Sequence, residues 1–586
     1  MGSVKDDRGP HNRGSTRDAG DVTGSSMVTP AVFFHPDGYS TANTRVMGRR
    51  VAGRDFLRAH FEAASAQGVE RLTCHGANRD LAVTFAKAGR ESGYQGKVRL
   101  VGLEDVGPLA DDGVLYVPDP SLGRHAAFRE RSGRERIGRA NYSISGVIHT
   151  LASGETLDMI ADLTTDPVAE WDALVCTSRA GRAVVVDVIE QRERWLSERV
   201  GATRFVRPEL PVIPLGVHVG DYAGLRNDKA AARAALGIPE GAHVVVFVGR
   251  LSLHAKAHPL PLYLALDKAA EKVGPIVLLE CGSFGSGDGA SAKAFAEMRA
   301  HFPRLLGGVV GGETAASEDQ KLACMAAADV FTSLADNVQE TFGLSVIEAM
   351  AAGLPVVVSD WDGYKDTVRD GVDGFRVPTA LPAVGAADGL VVAYERTLLD
   401  YDRYVGYLSQ HCVVDIGRAA ESFVALLSNP ALARSMGASG EERAKDFAWS
   451  RVYGLYQELW AELSRRRLAA MGAVESVAGR GPTSNRGHAE TLYRSFPSRF
   501  TSVETGFRMV AGADRSVLGL AGVRVALEGV IDGESASRML VALESGPQSP
   551  TQLARTDDEA LVKSGQLHAL AKYGLVEAMN DEPREG

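Results

Sequence analysis

Cysteine is scarce in this sequence, with five residues in 586, and no two of them form a CxxC pair. That pattern excludes a disulfide framework and a clustered zinc site, and it predicts a protein of the reducing cytoplasm. The sequence also lacks an apolar run of about 18 residues, so no transmembrane helix is expected. No apolar stretch typical of a signal peptide follows Met1.

Positive charge is not in excess, since 64 Lys and Arg face 74 Asp and Glu, giving a net charge of −10. The whole protein is therefore no polyanion binder, and only a local patch could be. Hydrophobic residues make up 45% and charged residues 24%, which is typical of a globular protein and excludes a fibrous or mainly disordered chain. The length fits several domains, or two large ones with additions.

Two successive series of strands and helices follow a polar N-terminal tail. Residues 1–27 contain no aromatic residue and four charges of each sign, so we expect them to be disordered. Short apolar runs alternate with helical stretches over residues 28–217 and again over residues 218–445. This pattern predicts an α/β protein with two doubly wound, Rossmann-like domains. Their joint is expected at 212–217, an apolar run broken by Pro214 and Gly216.

Beyond the second series, residues 446–468 read as a helix that returns to the first domain. Its aromatic residues fall on one face, which predicts a packing face: Trp449, Tyr453, Tyr456 and Trp460. Residues 469–490 are small and polar, as in a linker. Residues 491–586 form a helical accessory unit in this interpretation, with helices at 536–543, 550–555 and 560–576.

The accessory unit weakly resembles a winged-helix module. Residues 549–586 contain four basic and seven acidic residues, whereas a protein that reads a duplex needs a basic face. We therefore expect no nucleic-acid partner, and we favour docking or dimerisation as the role of this unit.

The first chemical signal lies within ETFGLSVIEAMAAGLPVVVSDWDGY, where seven residues separate Glu340 from Glu348. Glu340 is expected on the loop before a helix, and Glu348 about two turns inside it. The amides of Thr341 to Leu344 at the helix start favour an anion such as a diphosphate. The two carboxylates would repel that anion, so we expect them to accept hydrogen bonds from hydroxyl groups of the same ligand. The alternative is a surface helix with two solvated glutamates.

A second signal lies upstream, where Arg250 and Lys256 follow the predicted strand at 244–248. Cations at the carboxyl end of a strand lie where α/β sheets bind ligands, and they would neutralise a leaving diphosphate. Taken alone, they could equally be two surface cations. Their combination with the glutamate pair, in this order, favours a phosphate-containing ligand.

Residues 28–468 resemble the retaining glycosyltransferases of the GT-B fold, in glycosyltransferase family four (group 1). The segments VGRLSLHAK, VIPLGV and ADVFTSLADNVQETFGLSVIEAMAAGLPVVVSDWDGY carry the resemblance. It implies a nucleotide-sugar donor that binds mainly to the second domain, an unknown acceptor on the first, and no cofactor or metal. It also implies retention at the anomeric carbon by attack on the same face.

The resemblance also implies roles for individual residues. Arg250 and Lys256 would bind the donor diphosphate. Glu340 would hold the hydroxyls of the transferred sugar as a catalytic residue, and Glu348 would hold the ribose. His149 follows a first-domain strand, as the family's active-site histidine does, although a lone histidine can be structural. Backbone contacts to the sugar and phosphate would come from Phe342, Gly343 and Leu344.

The sequence departs from the family at two loops. The loop after the first strand has one glycine, Gly38, where the family usually has a pair. After the strand at 355–359 the chain has Asp362-Gly363, where the family often has Gly-Gly. Asp360-Trp361-Asp362 spells the D-x-D of metal-dependent transferases of another fold, and we expect no metal there.

The function expected from these observations is transfer of a sugar from a nucleotide sugar to an unknown acceptor. A nucleotide-sugar epimerase and a non-enzymatic ligand-binding or docking protein stay as alternatives. The glycine-rich stretch 285–289 is either a border of the nucleotide or a flexible loop. An arginine cluster is either a solvated face or a surface for an anionic acceptor or a peripheral membrane contact: Arg124, Arg129, Arg131, Arg134, Arg136 and Arg139.

Overall fold

The computed structural model describes residues 28–39, 48–103, 106–132, 141–253, 256–284, 289–470, 493–498 and 500–579. The predicted disordered tail and nearly all of the predicted linker lie outside these residues. The chain divides into two compact units, residues 1–484 and residues 485–586. Both α/β series belong to the first unit.

The first domain is built on a parallel sheet of six strands in the order β3-β2-β1-β4-β5-β6. The strands are β1 Ala31–Phe33, β2 Arg71–His75, β3 Lys97–Val101, β4 Val114–Tyr116, β5 Ser143–Val147 and β6 Ala173–Val175. The helices are α1 Pro36–Tyr39, α2 Gly48–Ala66, α3 Arg79–Glu91, α4 Leu122–Ser132, α5 Gly154–Asp162 and α6 Arg179–Val200.

The second domain repeats this order in a six-stranded parallel sheet, β12-β11-β10-β7-β8-β9. Its strands are β7 His243–Val248, β8 Ile276–Ser283, β9 Leu305–Gly312, β10 Val330–Ser333, β11 Val356–Ser359 and β12 Gly374–Val377, and a small antiparallel pair follows, β13 Thr379–Ala380 and β14 Val413–Val414. The helices are α7 Lys229–Ala235, α8 Pro259–Val273, α9 Ala290–Ala300, α10 Glu318–Ala327, α11 Leu344–Ala351, α12 Tyr364–Thr367, α13 Asp388–Glu395, α14 Tyr401–Ser409, α15 Ile416–Ser428 and α16 Pro430–Ala444.

Both sheets have the strand order of a doubly wound α/β domain. Their central strands are continuous apolar runs, as in β7, because helices cover both faces. The order places β1 beside β4 and β7 beside β10. At such a reversal the connecting helices leave toward opposite faces and open a crevice at the carboxyl ends of the strands. The predicted fold class, two Rossmann-like domains in the GT-B arrangement with a helical C-terminal addition, is confirmed.

Helix α17, Trp449–Ala470, carries the chain back to the first domain. The peptide of Trp449 pairs with that of Val217, so the two crossings between the domains lie side by side. The aromatic face of α17 is buried in the core of the first sheet, with Trp460 fully buried. A Cβ on Gly216 would lie 2.3 Å from the Trp449 ring, so this crossing requires glycine. The predicted packing face is confirmed.

Within residues 500–579, the C-terminal unit contains four short helices and an antiparallel pair of strands. The elements are β15 Phe507–Met509, α18 Ala521–Leu527, α19 Gly533–Glu544, α20 Pro550–Leu553, α21 Asp557–Lys572 and β16 Val576–Ala578. The predicted helix at 560–576 is wrong at its end. Gly574, with φ of 72°, turns the chain, and Val576 begins β16 instead.

The structure corrects the predicted arginine cluster. Arg129 is fully buried and binds Asp172 with two hydrogen bonds, of 2.6 and 2.7 Å. It is therefore part of the core of the first domain. Arg124 is exposed, 4.0 Å from Glu155. Arg134, Arg136 and Arg139 lie outside the described residues, as does the side chain of Arg131. Among the helices that the structure describes, none combines the length and hydropathy needed to cross a membrane.

Candidate active site

The predicted site residues of the second domain follow two neighbouring strands. Arg250 and Lys256 come after β7, and Glu340 comes after β10, which pairs directly with β7. Since parallel strands end at the same edge of a sheet, these loops meet at the crevice. The structure thus brings three of the predicted residues to one place.

Glu340 is at the centre of this group. Its Oε2 forms an ion pair with Lys256 Nζ and also accepts a hydrogen bond of 3.4 Å from the Tyr364 hydroxyl. Burial opposes ionisation, but the Lys256 ammonium and hydrogen bonds from the Phe342 amide and Tyr364 lower the pKa of Glu340 below its usual value. Glu340 is therefore an ionised hydrogen-bond acceptor at neutral pH.

Arg250 is held by the same loop. Its guanidinium donates a 2.9 Å hydrogen bond to Gln339 Oε1, and Gln339 Nε2 donates to the Tyr401 hydroxyl at 2.6 Å. Sequence reasoning missed both Gln339 and Tyr364. Both could have been found from their positions in the segment that carries the family resemblance, since Gln339 directly precedes Glu340 and Tyr364 directly follows Gly363.

Glu348 lies elsewhere than predicted. Helix α11 begins only at Leu344, so Glu348 is its fifth residue, little more than one turn inside. The side chain is buried and forms a 3.3 Å ion pair with Lys321, which also donates to the Tyr222 hydroxyl at 2.9 Å. Two solvated glutamates on a surface helix, the alternative interpretation, are therefore excluded.

The helix starts late because of Gly343. Its φ of 96° lies outside the helical region and suits only glycine well. A Cβ at this position would lie 2.1 Å from Tyr364 Cε1. Phe342, the residue before it, is buried and packs near Phe447, which anchors the loop that carries Glu340.

Replacing Gly343 by alanine is expected to destabilise the protein by about 1–2 kcal/mol or more, because the backbone strain adds to the clash with Tyr364. Thermal unfolding measures this change. Gly454→Ala is the matched control, since Gly454 lies inside α17 and an added Cβ there meets no atom within 4 Å. The control should unfold at the same or a higher temperature. A Gly343→Ala protein as stable as the control would contradict the expectation.

His149 lies just after β5 in the first domain, and its main chain contacts the loop of Glu340. Burial lowers its pKa to about 4, although Asp119 opposes this, so the imidazole is neutral at pH 7. The Thr341 hydroxyl donates a 3.0 Å hydrogen bond to the His149 carbonyl oxygen. That bond joins the loop of Glu340 to the first domain, so the predicted catalytic pair lies on two directly bonded segments.

Gly38 does not lie on an open loop as predicted. It belongs to α1, and its amide donates to the His35 carbonyl at 2.9 Å. Pro36 favours a helix start here because its ring fixes φ near the helical value. A Cβ on Gly53 of α2 would lie 1.9 Å from the Gly38 carbonyl oxygen, so α1 and α2 are in close contact. Residues 40–47 lie outside the described part.

The two carboxylates of the D-x-D triplet have different partners. Asp360 lies 3.4 Å from Arg376, whereas Asp362 accepts a 3.2 Å hydrogen bond from the Ser178 hydroxyl. The absence of a metal stays a prediction.

In the glycine-rich stretch 285–289 the structure describes only Gly289. This residue directly precedes α9 and has a left-handed φ of 67°.

Asp362 gives a prediction on pH. Burial, together with the negative charge of Glu340, raises its pKa to about 7, so the native state holds this proton at pH values where the unfolded chain has lost it. Wild type should therefore lose stability relative to Asp362→Asn as pH rises from about 4 to 7, by at least about 1 kcal/mol. Denaturant unfolding of both proteins across this range measures the difference. A constant difference would contradict the raised pKa.

Comparison with known proteins finds one family match, in the second domain. Residues 228–387 match the family model of glycosyl transferases group 1. The matched segment contains Arg250, Lys256, Glu340 and Glu348, whereas Gly38 and His149 lie before it.

Two curated relatives illustrate what the chain is similar to. The phosphatidyl-myo-inositol mannosyltransferase of Mycobacterium tuberculosis H37Rv is 33% identical over 228 residues, which cover 38% of this chain and 53% of the relative. The D-inositol 3-phosphate glycosyltransferase of Streptomyces bingchenggensis is 26% identical over 337 residues, covering 55% and 63%. The chain spans about half the length of the first of these relatives.

Among solved structures, Anabaena HepE in complex with UDP and glucose matches with a TM-score of 0.46 at 16% identity, covering 74% of this chain and all of that one. A sucrose-phosphate synthase from Thermosynechococcus elongatus matches with a TM-score of 0.43 at 18% identity, covering 75% of this chain and all of that one.

Proposed function

We propose that this protein is a retaining glycosyltransferase that moves a sugar from a nucleotide sugar to an acceptor hydroxyl. The observation that carries the proposal is the ionised Glu340, paired with Lys256, beside Arg250 and at the start of α11. This arrangement places anion-binding and hydroxyl-binding groups within one crevice. The match of residues 228–387 to the model of glycosyl transferases group 1 supports the same function.

In the proposed reaction the bond between the anomeric carbon and the diphosphate oxygen breaks, and a bond to the acceptor oxygen forms on the same face. The leaving phosphate oxygen takes the acceptor proton. Arg250, Lys256 and the first amides of α11 would stabilise the negative charge that develops on this phosphate. No metal is needed for that task in the proposal.

The two glutamates would bind different parts of the donor. Glu340 would accept hydrogen bonds from hydroxyls of the transferred sugar, and Glu348 from the ribose. Lys256 would then contact both Glu340 and the diphosphate. Neutral His149 would face the sugar from the first domain, where its ring can donate or accept one hydrogen bond.

The acceptor class is suggested by the relatives. Their names specify phosphatidyl-myo-inositol in one case and D-inositol 3-phosphate in the other. A cyclitol that carries a phosphate is therefore the first acceptor class to test. The cytoplasmic location expected from the sequence, with peripheral membrane contact as an option, stays a prediction.

A donor panel tests the proposal. Purified protein is mixed with UDP-, GDP- and ADP-sugars, and unfolding temperature and nucleotide release are measured without acceptor. We expect one donor to stabilise the protein and to release nucleotide slowly. Arg250→Ala should lose both effects, whereas Arg304→Ala should keep them, because Arg304 is exposed and bound to Asp267 in the same domain.

Other outcomes of the panel contradict the proposal in distinct ways. Conversion of a donor into its epimer without release of nucleotide would identify an epimerase. Absence of stabilisation by any donor would favour a ligand-binding or docking protein and would remove the roles assigned to Arg250, Lys256 and Glu340.

A further inference from the structure

The start of α6, in the first domain, holds two carboxylates from the second domain. The hydroxyl of Ser178, the N-cap of α6, donates to Asp362 Oδ1 at 3.2 Å. Arg179 donates to Asp366 twice, from its main-chain amide at 2.6 Å and from Nε at 2.7 Å. The positive end of the helix dipole favours the negative charge of Asp366, which contacts the first residue of α6. We call these four residues the clasp.

Asp362 adopts an unusual backbone conformation in the clasp, with φ of 41°. A non-glycine residue in this region is strained, and Asp and Asn are among the few that tolerate it. Backbone strain of this kind persists where surrounding contacts hold it. The hydrogen bond from Ser178 is such a contact, and it crosses from one domain to the other.

The loop of the clasp lies directly against the loop of Glu340. A Cβ on Gly363 would lie 2.5 Å from Phe342 Cα and 2.8 Å from the Thr341 carbonyl oxygen. Tyr364, the next residue, donates its hydroxyl to Glu340. A displacement of the clasp is therefore transmitted to Glu340 by direct contact.

On its other side, the loop of Glu340 is bound to His149, because the Thr341 hydroxyl donates to the His149 carbonyl oxygen. Hydrogen bonds between the domains thus flank the Glu340 loop on two sides, three in the clasp and one from Thr341. These bonds can form together only while the crevice between the domains is closed to this extent.

We propose that Asp362 and Asp366 are positioning residues, which dock the second domain on the start of α6 and hold Glu340 opposite His149 for the transfer step. The inference rests on the proposed function and adds to it the residues that fix the reactive arrangement. Placement of reacting groups strongly affects rate, and a shift of about 1 Å can cost about 100-fold.

A positioning role of the clasp can be distinguished from a role in folding, because the two roles predict different effects on transfer rate and unfolding temperature. The Arg179 side chain is 77% exposed, and ion pairs of this kind contribute only about 0–1 kcal/mol to folding. Loss of the pair should therefore leave the unfolding temperature nearly unchanged, while the rate of transfer falls. The residues proposed to bind the donor, apart from His149, lie on the second domain, so the KM for the donor should change little.

Asp366→Asn and Arg179→Ala test the clasp, separately and together, in the full-length protein. We expect kcat to fall about three- to fivefold in each single variant, the size that loss of an exposed ion pair allows, with the donor KM within about twofold and unfolding temperatures close to wild type. The double variant should be no worse than either single one, because both remove the same side-chain ion pair and neither removes the main-chain amide of Arg179. Asp267→Asn, which breaks an exposed ion pair inside the second domain, is the matched control and should keep the wild-type kcat.

A second measurement reports on the domains themselves. A fluorophore pair, one on each domain, should show a shorter distance after donor binding in wild type and a smaller change in Asp366→Asn. If Asp366→Asn keeps the wild-type kcat and the wild-type change in distance on donor binding, the positioning role of the clasp is wrong, while the proposed function stands. A wild-type protein that turns over no donor would overturn the proposed function and the clasp with it.

Discussion

Replacing Glu340 by glutamine is expected to lower the rate of sugar transfer by about 100- to 1,000-fold. Removal of one fixed group that acts on charge or hydroxyls in an active site typically has an effect of this size. The amide keeps the size of the side chain but loses the negative charge that balances Lys256. Because Lys256 is only 17% exposed, the unpaired ammonium should contact the donor diphosphate more strongly, so the donor KM should not rise with the loss of rate.

The measurement is kcat with the donor that the panel identifies, together with the unfolding temperature of the variant. Glu442→Gln is the matched control, because Glu442 is an exposed glutamate of the same domain bound to Lys445. The control should keep full activity. Turnover of Glu340→Gln within about threefold of wild type would remove Glu340 from the catalytic group.

The second large effect concerns folding of the first domain. Asp172→Asn is expected to destabilise it by about 3–5 kcal/mol, because the buried Arg129 would lose the charge of the carboxylate that it binds with two hydrogen bonds. Both side chains are fully buried. Asp172 also accepts hydrogen bonds from the amides of Ile144 and Ala169, at 2.9 and 2.8 Å, so it joins the start of β5 to the turn before β6.

Denaturant unfolding of Asp172→Asn against Asp267→Asn measures this effect, and the latter should lie within about 1 kcal/mol of wild type. A double variant that replaces both members of the pair, Arg129→Met with Asp172→Leu, should be less destabilised than Asp172→Asn, since the buried guanidinium charge is removed together with its carboxylate. Equal stability of Asp172→Asn and the control would show that the pair is dispensable.

Much of the fold was predictable because the central strands are short apolar runs. The runs at 244–248 and 355–359 became β7 and β11 with few changes in bounds. Strand β9, Leu305–Gly312, was missed since four of its eight residues are glycine, and β2 was missed since its sequence, RLTCH, alternates polar residues. These strands form because neighbouring strands supply hydrogen bonds, which no local pattern records.

The meeting of Arg250, Lys256 and Glu340 was predictable from the sequence, and the contacts between them were not. Strand order brings the loops after β7 and β10 together, so any charged residues on them meet. The pairing of Lys256 with Glu340 depends on the course of two loops, and the bond from Thr341 to His149 depends on the approach of two domains. The predicted position of Glu348 within α11 was wrong because the conformation of a single residue, Gly343, makes the helix begin only at Leu344.

The return of α17 to the first sheet determines the order of events during synthesis. Tyr456 and Trp460 of α17 pack against Phe56 and Tyr116, residues that leave the ribosome hundreds of positions earlier. The nascent first domain therefore keeps an unfilled apolar face while the whole second domain is made. A fragment that stops before Trp449 would present this face to solvent and aggregate, and a separately expressed first domain needs the α17 segment fused to its end.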